Sequence, residues 1–342
     1  MPVQGTAVAC SRVQGLHIGV VGVGRIGAFH VATLQALAGV SRITVADAQP
    51  GRAAAVAREL GVGDADSPER LAAEVDALVI ATATPGHVPT LRLAAATGRP
   101  AFCEKPVALD LAALDGVVAD VENAGILVQV GFQRRFDAGY RAARDAVASG
   151  AVGTVLLVRA ATHDPAPPPA EYIATSGGIF RDLQIHDFDA IRYVTGREIV
   201  EVYADGAVRE SAWFADYGDV DAAVVVVRLD DGALGILSST RRDPLGYDVR
   251  LEVLGTSDTI TVGVDPAAPG APRYRNFLDR FGPAYRAELA HFVDAAANGG
   301  DSPCTLRDAR AALAAALAAD RSRAERRPVA VAEVTGKSEC EG

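Results

Sequence analysis

The chain holds 342 residues, 49% of them hydrophobic, and carries a formal net charge of −10. Its length suits two domains of about 100–200 residues each. The acidic balance and the lack of any basic run exclude a phosphate-tracking nucleic-acid surface and adhesion to anionic lipid, and no uncharged apolar run of about 18 residues is present to span a bilayer.

In chain order, MPVQGTAVACSRVQG (1–15) lacks a charged start followed by an apolar run, so it reads as a loose extension rather than a signal peptide, and a cytoplasmic protein is expected. LHIGVVG (16–22) is a predicted buried strand, followed by a helix through Ala38, the strand SRITVAD (41–47) and the helix RAAAVAREL (52–60). ALVIAT (77–82), the helix HVPTLRLAAATG (87–98), AFCE (101–104), a helix over 110–123 and ILVQVGF (126–132) continue the rhythm. Strands alternating with helices of this length make βαβ units and a parallel sheet covered on both faces. Cys103 lies inside an apolar strand, and Cys10, Cys103, Cys304 and Cys340 show no zinc or redox spacing.

Beyond residue 150 the pattern turns strand-rich: TVLLVRAAT (154–162), IVEVYADGAV (199–208), the segment 221–242 and YDVRLEVLGTSDTITVGV (247–264). DDG (230–232) and GTSD (255–258) supply turn residues between consecutive strands, which predicts antiparallel pairing. Helices over 179–195, 283–298 and 306–323 are expected on one face, the last helped by its run of alanines. DPAPPPAEYI (164–173) is a stiff loop. Apolar strand faces such as VVVVRL and GILSST need a cover.

The first strand runs into GVGRIG, which places Gly22, Gly24 and Gly27 between a strand and a helix, the context a dinucleotide-binding turn requires. Gly22 permits the tight turn, Gly24 lets the backbone approach a pyrophosphate, and Gly27 lets helix and strand pack closely. Asp47 ends the second strand twenty residues later, where a carboxylate can take the adenine ribose hydroxyls and repel a 2′-phosphate. NAD is therefore expected over NADP, unless Arg52 reaches back to offset the charge. The fold class is α/β: an N-terminal Rossmann domain (16–135) and a C-terminal α+β domain (136–342) with a large, mostly antiparallel sheet.

GGIFRDLQIHDFD (177–189) poses a separate question. On one continuous α-helix Asp182 and His186 lie about 40° apart and Asp189 about 20° from Asp182, which puts three polar groups on one face. Such a face is either solvated or a site. The His186/Asp189 pair has no further His or Cys cluster nearby, so a metal is not expected.

The strand-end Glu-Lys-Pro of CEKPVAL (103–109), GFQRRFDAGY (131–140) and GGIFRDLQIHDFD occur in an order that resembles the glucose–fructose oxidoreductase/inositol dehydrogenase (Gfo/Idh/MocA) family. The resemblance runs from about Leu16 over nearly the whole chain, and DPAPPPAEYI followed by SGGIFRD is similar to the inositol 2-dehydrogenase branch. It implies a catalytic set of Lys105, Asp182 and His186, with Lys105 and His186 flanking a reacting carbinol. An imidazole suits proton removal, and an ammonium stabilises alkoxide character as hydride leaves. Asp182 would fix the imidazole and favour its charged form. Arg25 and Ile26 would meet the pyrophosphate; Thr82, Ala83, Thr84 and His87 would line the cofactor, although His87 also reads as a helix start; Glu104 would sit by the nicotinamide ribose. Lys105 could instead be an ordinary strand-end lysine, and its bond to Pro106 could be cis.

Arg135, Asp189 and Tyr247 are implied for a polyol pocket, with His163 and Asp164 facing the substrate, while Arg134 and Arg135 could equally be solvated. His163 replaces the arginine, and Gln133 the residue, that such inositol dehydrogenases often carry at those positions. The expected activity is NAD-dependent oxidation of a ring hydroxyl of myo- or scyllo-inositol, or the reverse reduction. An aldose, amino-cyclitol or keto-sugar substrate, NAD-dependent glycoside cleavage and a non-catalytic regulator are the alternatives. The expected partner is a small polyol or sugar, with the chain itself forming a homodimer or homotetramer.

Overall fold

The computed structural model describes residues 15–263 and 274–336; residues 1–14 of the expected extension, Cys10 and Cys340 lie outside the described residues. The first sheet consists of β1 (Leu16–Val21), β2 (Val40–Ala46), β3 (Gly63–Asp64), β4 (Ala77–Ile80), β5 (Ala101–Glu104) and β6 (Val128–Gly131). All pairings are parallel, in the order β3-β2-β1-β4-β5-β6. The order reverses between β1 and β4, and the carboxyl ends of strands at such a switch point leave a crevice for a ligand.

Helices α1 (Arg25–Gln35), α2 (Arg52–Leu60), α3 (Pro68–Glu74), α4 (His87–Thr97) and α5 (Leu111–Ala124) connect these strands. Alternate residues of β4 divide the work: Ala77 and Val79 join the core under α1 and α2, while Leu78 and Ile80 join the core under α3, α4 and α5. A strand buried on both faces is apolar throughout, which is why ALVI carries no polar residue.

After β6 a short 3-10 turn (Gln133–Phe136) leads to α6 (Ala138–Ala148) and β7 (Val155–His163), then to α7 (Ala170–Ser176) and α8 (Ile185–Thr195). There follow β8 (Ile199–Ala207), β9 (Ala222–Leu229), β10 (Leu234–Thr240), β11 (Asp248–Gly255), β12 (Thr259–Val262), α9 (Phe277–Asn298), α10 (Leu306–Glu325), β13 (Val329–Ala330) and α11 (Val331–Thr335). The second sheet runs β12-β11-β7-β10-β9-β8-β13, antiparallel except for β10 beside β7. Along β9, Ala223, Val225, Val227 and Leu229 are buried and Val224, Val226 and Arg228 are exposed, the alternation of a sheet packed on one face. The inner face meets α8 and the alanine-rich α10, whose Ala312, Ala315, Ala316 and Ala319 let helix and sheet approach closely.

Two predicted helices differ from expectation. The helix expected at 283 begins at Phe277, because Asn276 caps it by accepting from the N–H groups of Leu278 and Asp279, and Pro283 is carried inside rather than marking the start. Its Leu289, Phe292 and Val293 pack with Ile18 and Phe102, so a segment from beyond residue 136 completes the core of the first sheet. The expected single helix over 179–195 opens with a π-helical turn, Phe180–Gln184, before α8. That wider turn changes the angular phase between Asp182 and the residues after it.

The halves are pinned by two adjacent arginines. Arg134, 1% exposed, donates to Asp187 of α8 and to Thr162 Oγ1 of β7 at 2.8 Å. Arg135 grips Asp189 through Nε (2.9 Å) and Nη2 (2.5 Å), reaches Asp308 of α10 at 3.1 Å and donates to the Pro303 carbonyl at 2.9 Å. Removing one partner of a buried pair leaves an uncompensated charge, which costs about 3–5 kcal/mol. Arg134→Ala should lower the urea-unfolding free energy by about that amount, seen as a lower midpoint at unchanged slope.

Candidate active site

The glycine-rich turn fills the crevice between β1 and β4. Gly22 has φ +88°, and a Cβ there would lie 2.5 Å from the Thr82 nitrogen. A Cβ on Gly27 would lie 2.0 Å from the Gly22 carbonyl oxygen, so both positions admit only glycine. Gly24 differs: nothing lies within 4 Å of its would-be Cβ, and no side chain caps α1 at that point. The first-turn N–H groups therefore face open space with the positive end of the helix dipole, a cradle for a pyrophosphate. Arg25 is exposed beside it, its guanidinium 4.8 Å from the Phe277 ring centre, and Ile26 is half-buried.

Asp47 binds the glycine turn directly. Its Oδ2 accepts from the Val23 N–H and its Oδ1 from the Gln49 N–H, each at 2.8 Å, while Arg52 Nη1 stands 3.5 Å away. On the other side of the crevice, Thr82 Oγ1 is buried without a hydrogen-bond partner, and Ala83 and Thr84 lead into the 3-10 turn Thr84–Gly86. His87 is the first residue of α4 and is 1% exposed; its ring spans the Pro106 carbonyl (2.8 Å) and the Thr82 carbonyl (2.9 Å). Burial lowers its pKa, and in the neutral ring only one nitrogen can donate, so one of the two carbonyls accepts its N–H and the other is a close contact. The open approach at Gly24, the orphaned Thr82 hydroxyl and the carboxylate at the end of β2 fit NAD.

β5 ends in Glu104 and Lys105, whose bond to Pro106 is cis. Glu104 turns toward α1, where Oε1 accepts from His30 Nε2 at 2.7 Å. Lys105 turns toward the second domain: Nζ donates to the Asp182 carbonyl at 2.8 Å and lies 3.6 Å from Asp182 Oδ1. The Asp182 carboxylate also accepts from Tyr172 OH at 2.7 Å and from Arg241 Nη2 at 2.8 Å. Burial alone would raise its pKa, but Arg241, then Lys105, then the Tyr172 hydroxyl outweigh it and hold the group ionised. The second arm of Arg241 reaches Asp164 Oδ2 at 3.2 Å; burial, the largest influence on Asp164, raises its pKa.

His186 is 8% exposed and lies edge-on to Phe132. Burial first, then the Lys105 and Arg134 cations, push its pKa well below the ordinary imidazole value. Its Nδ1 is buried without a partner. The expectation that Asp182 fixes this ring and favours its charged form is corrected: the carboxylate is held by Tyr172, Arg241 and Lys105, the π-helical turn intervenes, and the imidazole is neutral.

The polyol-pocket expectations divide. His163 ends β7, its Nδ1 2.8 Å from Thr240 Oγ1, and burial lowers its pKa; Asp164 follows on the Arg241 side. Tyr247 is buried, with its ring edge-on to Phe281. Arg135 and Asp189 are corrected. They are neither solvated nor turned to the cleft, because each satisfies the other in the interior beside Asp308. Tyr172 and Arg241 were not singled out from the sequence; Arg241 reaches the site because β10 lies parallel to β7, with Thr240 beside His163. Among the described residues no three His, Cys, Asp or Glu side chains cluster to hold a metal ion.

A glycine-rich nucleotide cradle at the switch point, together with an ammonium at the end of β5 held by a buried carboxylate and a buried imidazole of lowered pKa, fits a nicotinamide-dependent dehydrogenase. The chain belongs to the GFO/IDH/MocA oxidoreductases: residues 16–132 match the oxidoreductase family with an NAD-binding Rossmann fold, and residues 140–261 match the GFO/IDH/MocA C-terminal domain. It is 43% identical over 316 residues to a myo-inositol dehydrogenase of Streptomyces leeuwenhoekii, covering 90% of this chain and 97% of that one. It is 36% identical over 334 residues to a myo-inositol 2-dehydrogenase of Thermotoga maritima, covering 94% and 100%. A scyllo-inositol dehydrogenase from Lactobacillus casei, solved with NAD(H) and scyllo-inositol, superposes with a TM-score of 0.86 at 29% identity, covering 93% and 100%. The protein is an NAD-dependent oxidoreductase acting on CH–OH groups.

A carboxylate at the end of β2 repels a 2′-phosphate, so Asp47→Asn should shrink the ratio of NAD to NADP in kcat/KM by about ten-fold or more. Parallel kinetics with the two cofactors check this.

Proposed function

We propose that this enzyme oxidises one secondary ring hydroxyl of a cyclitol, myo- or scyllo-inositol, to the ketone. The observation that carries the reading is Lys105 held against Asp182, with its cation also acting on the buried His186 and lowering that imidazole's pKa. NAD, when bound, supplies the acceptor for the hydride that leaves the carbinol carbon. Lys105 donates a hydrogen bond to the carbinol oxygen and stabilises its growing negative charge. His186, already unprotonated, takes the hydroxyl proton. Asp182 holds Lys105 in place and offers an acceptor to a neighbouring hydroxyl.

The inositol dehydrogenases among the relatives support a cyclitol, and the buried polar wall suits a ligand with a hydroxyl on every ring carbon. An aldose or amino-cyclitol is the second reading, favoured by His163, a neutral ring at the cleft end of β7. Use of NAD supports a cytoplasmic enzyme. We also propose a homo-oligomer in which a second copy covers the open face of the second sheet. Leu156, Val200, Tyr203, Val224, Val226, Leu234 and Ile236 are exposed there on adjacent strands, and soluble chains cover patches of that kind.

Lys105→Ala should reduce kcat/KM for inositol by about 100-fold or more while NADH binding, followed by fluorescence, is retained. A base must be unprotonated to act, and the His186 pKa is depressed. The kcat/KM profile should therefore stay level as the pH falls through 6.5 and drop only below it; an inflection at or above that value removes His186 from the role. Val224→Lys with Ile236→Lys should shift the protein to monomer in light scattering after gel filtration, with its circular dichroism unchanged.

A further inference from the structure

The segment Asp164–Ser176 leaves the end of β7 as DPAPPPAEYIATS. Four of the five residues 165–169 are proline and have no backbone N–H, so the arm cannot be held by pairing with a sheet. Its first foot is tied by backbone, the Asp164 N–H donating to the Thr240 carbonyl at 2.9 Å and the Asp164 carbonyl accepting from the Asp243 N–H at 2.6 Å, and beyond the prolines side chains take over. At the first foot, Asp164 meets Arg241 Nη1 at 3.2 Å. At the second, the Tyr172 hydroxyl donates to Asp182 Oδ1 at 2.7 Å, and Asp182 Oδ2 accepts from Arg241 Nη2 at 2.8 Å. Asp164, Arg241, Asp182 and Tyr172 thus form a continuous chain across the base of the arm, with the buried guanidinium, 2% exposed, at its centre. Ile173 of α7 is buried, whereas Tyr172 is 47% exposed, so its hydroxyl is the polar tether of the outer side.

We propose that Tyr172 is a positioning residue: it latches the proline-rich arm onto Asp182 and thereby aims that carboxylate at the polyol. The inference rests on the cyclitol reading above for its kinetic arm but not for its structural one. The carboxylate has three donors around it, Lys105 from β5, Arg241 from the end of β10 and Tyr172 from α7. Only Tyr172 approaches from a segment outside both sheets. Losing its hydroxyl frees Oδ1 to rotate toward Lys105 and frees the arm to move off the cleft, and both changes weaken substrate binding more than the chemical step.

The test is Tyr172→Phe, which keeps the ring and removes one oxygen from a half-exposed position. The KM for the inositol isomer that the parent oxidises fastest should rise about ten-fold, the weight of a hydrogen bond to a charged group, and by more than kcat falls. Amide hydrogen exchange across residues 170–176 should be faster in the variant than in the parent. A KM unchanged, or a loss confined to kcat, overturns the positioning role; unchanged exchange overturns the latch. Should the parent oxidise no polyol, the cyclitol reading fails on that result, and the exchange comparison alone decides whether the latch exists.

Discussion

A carboxylate buried to 5% exposure survives ionised only if cations stand against it, and Asp182 has two of them. That requirement organises the cleft. Lys105 must come from the end of β5, where the first sheet presents its carboxyl edge, and Arg241 from the end of β10, where the second sheet presents its own. The Lys105–Asp182 pair therefore joins the two halves, and Arg241 anchors the same carboxylate to the second sheet. With Tyr172 added, the carboxylate is fixed from three directions, which is the preorganisation that a site needs if its donors are to act without rearranging.

Burial, and then one of those cations, Lys105, together with Arg134, set the state of His186. An imidazole packed against Phe132 is already poor in solvation, and Lys105 and Arg134 add positive charge around it, so the ring is kept without a proton. In the proposed reaction, a base that starts neutral, beside an ammonium that favours the alkoxide, divides the work between two groups: one moves the proton and one stabilises charge. Had Asp182 bonded to the imidazole, it would have raised the pKa and drawn the ring toward its charged form. By binding Arg241 and Tyr172 instead, Asp182 serves the lysine and leaves the histidine free.

The first sheet was legible in the sequence because period, glycine spacing and strand-end residues each report on local backbone. Gly22, Gly24, Gly27 and Asp47 stand at the positions their spacing implied. What failed depended on information that is not local. Asp182, His186 and Asp189 share a face only on an uninterrupted α-helix, and the π-helical turn at Phe180–Gln184 breaks that geometry without a proline or an obvious glycine inside it. The resemblance set Arg135 and Asp189 in the polyol pocket, each judged alone; their mutual satisfaction 54 residues apart appears only once α8 is docked against the 3-10 turn. Arg241 was hidden because one parallel pairing, β10 with β7, lies in a sheet otherwise joined by antiparallel strands. The sequence pattern could suggest a hairpin between β9 and β10 but not which strand would flank it on the far side.

Arg134 and Arg135 show why consecutive like charges need not be a solvated pair. They lie on the short turn that leaves β6, and each is directed to a different carboxylate of the same helix, Asp187 and Asp189. Two residues apart on α8, those acids point in different directions, which matches two arginines diverging from a tight turn. The consequence reaches the chemistry, because α8 is also the helix that begins at Ile185 and carries His186. The clamp therefore fixes the first sheet, with its glycine-rich turn, against the helix that carries His186. Buried ion pairs of this kind contribute little net stability compared with apolar packing, but they tolerate few alternative arrangements. For a reaction in which a carbinol must meet a hydride acceptor and a proton acceptor at the same time, that single arrangement is the property worth retaining.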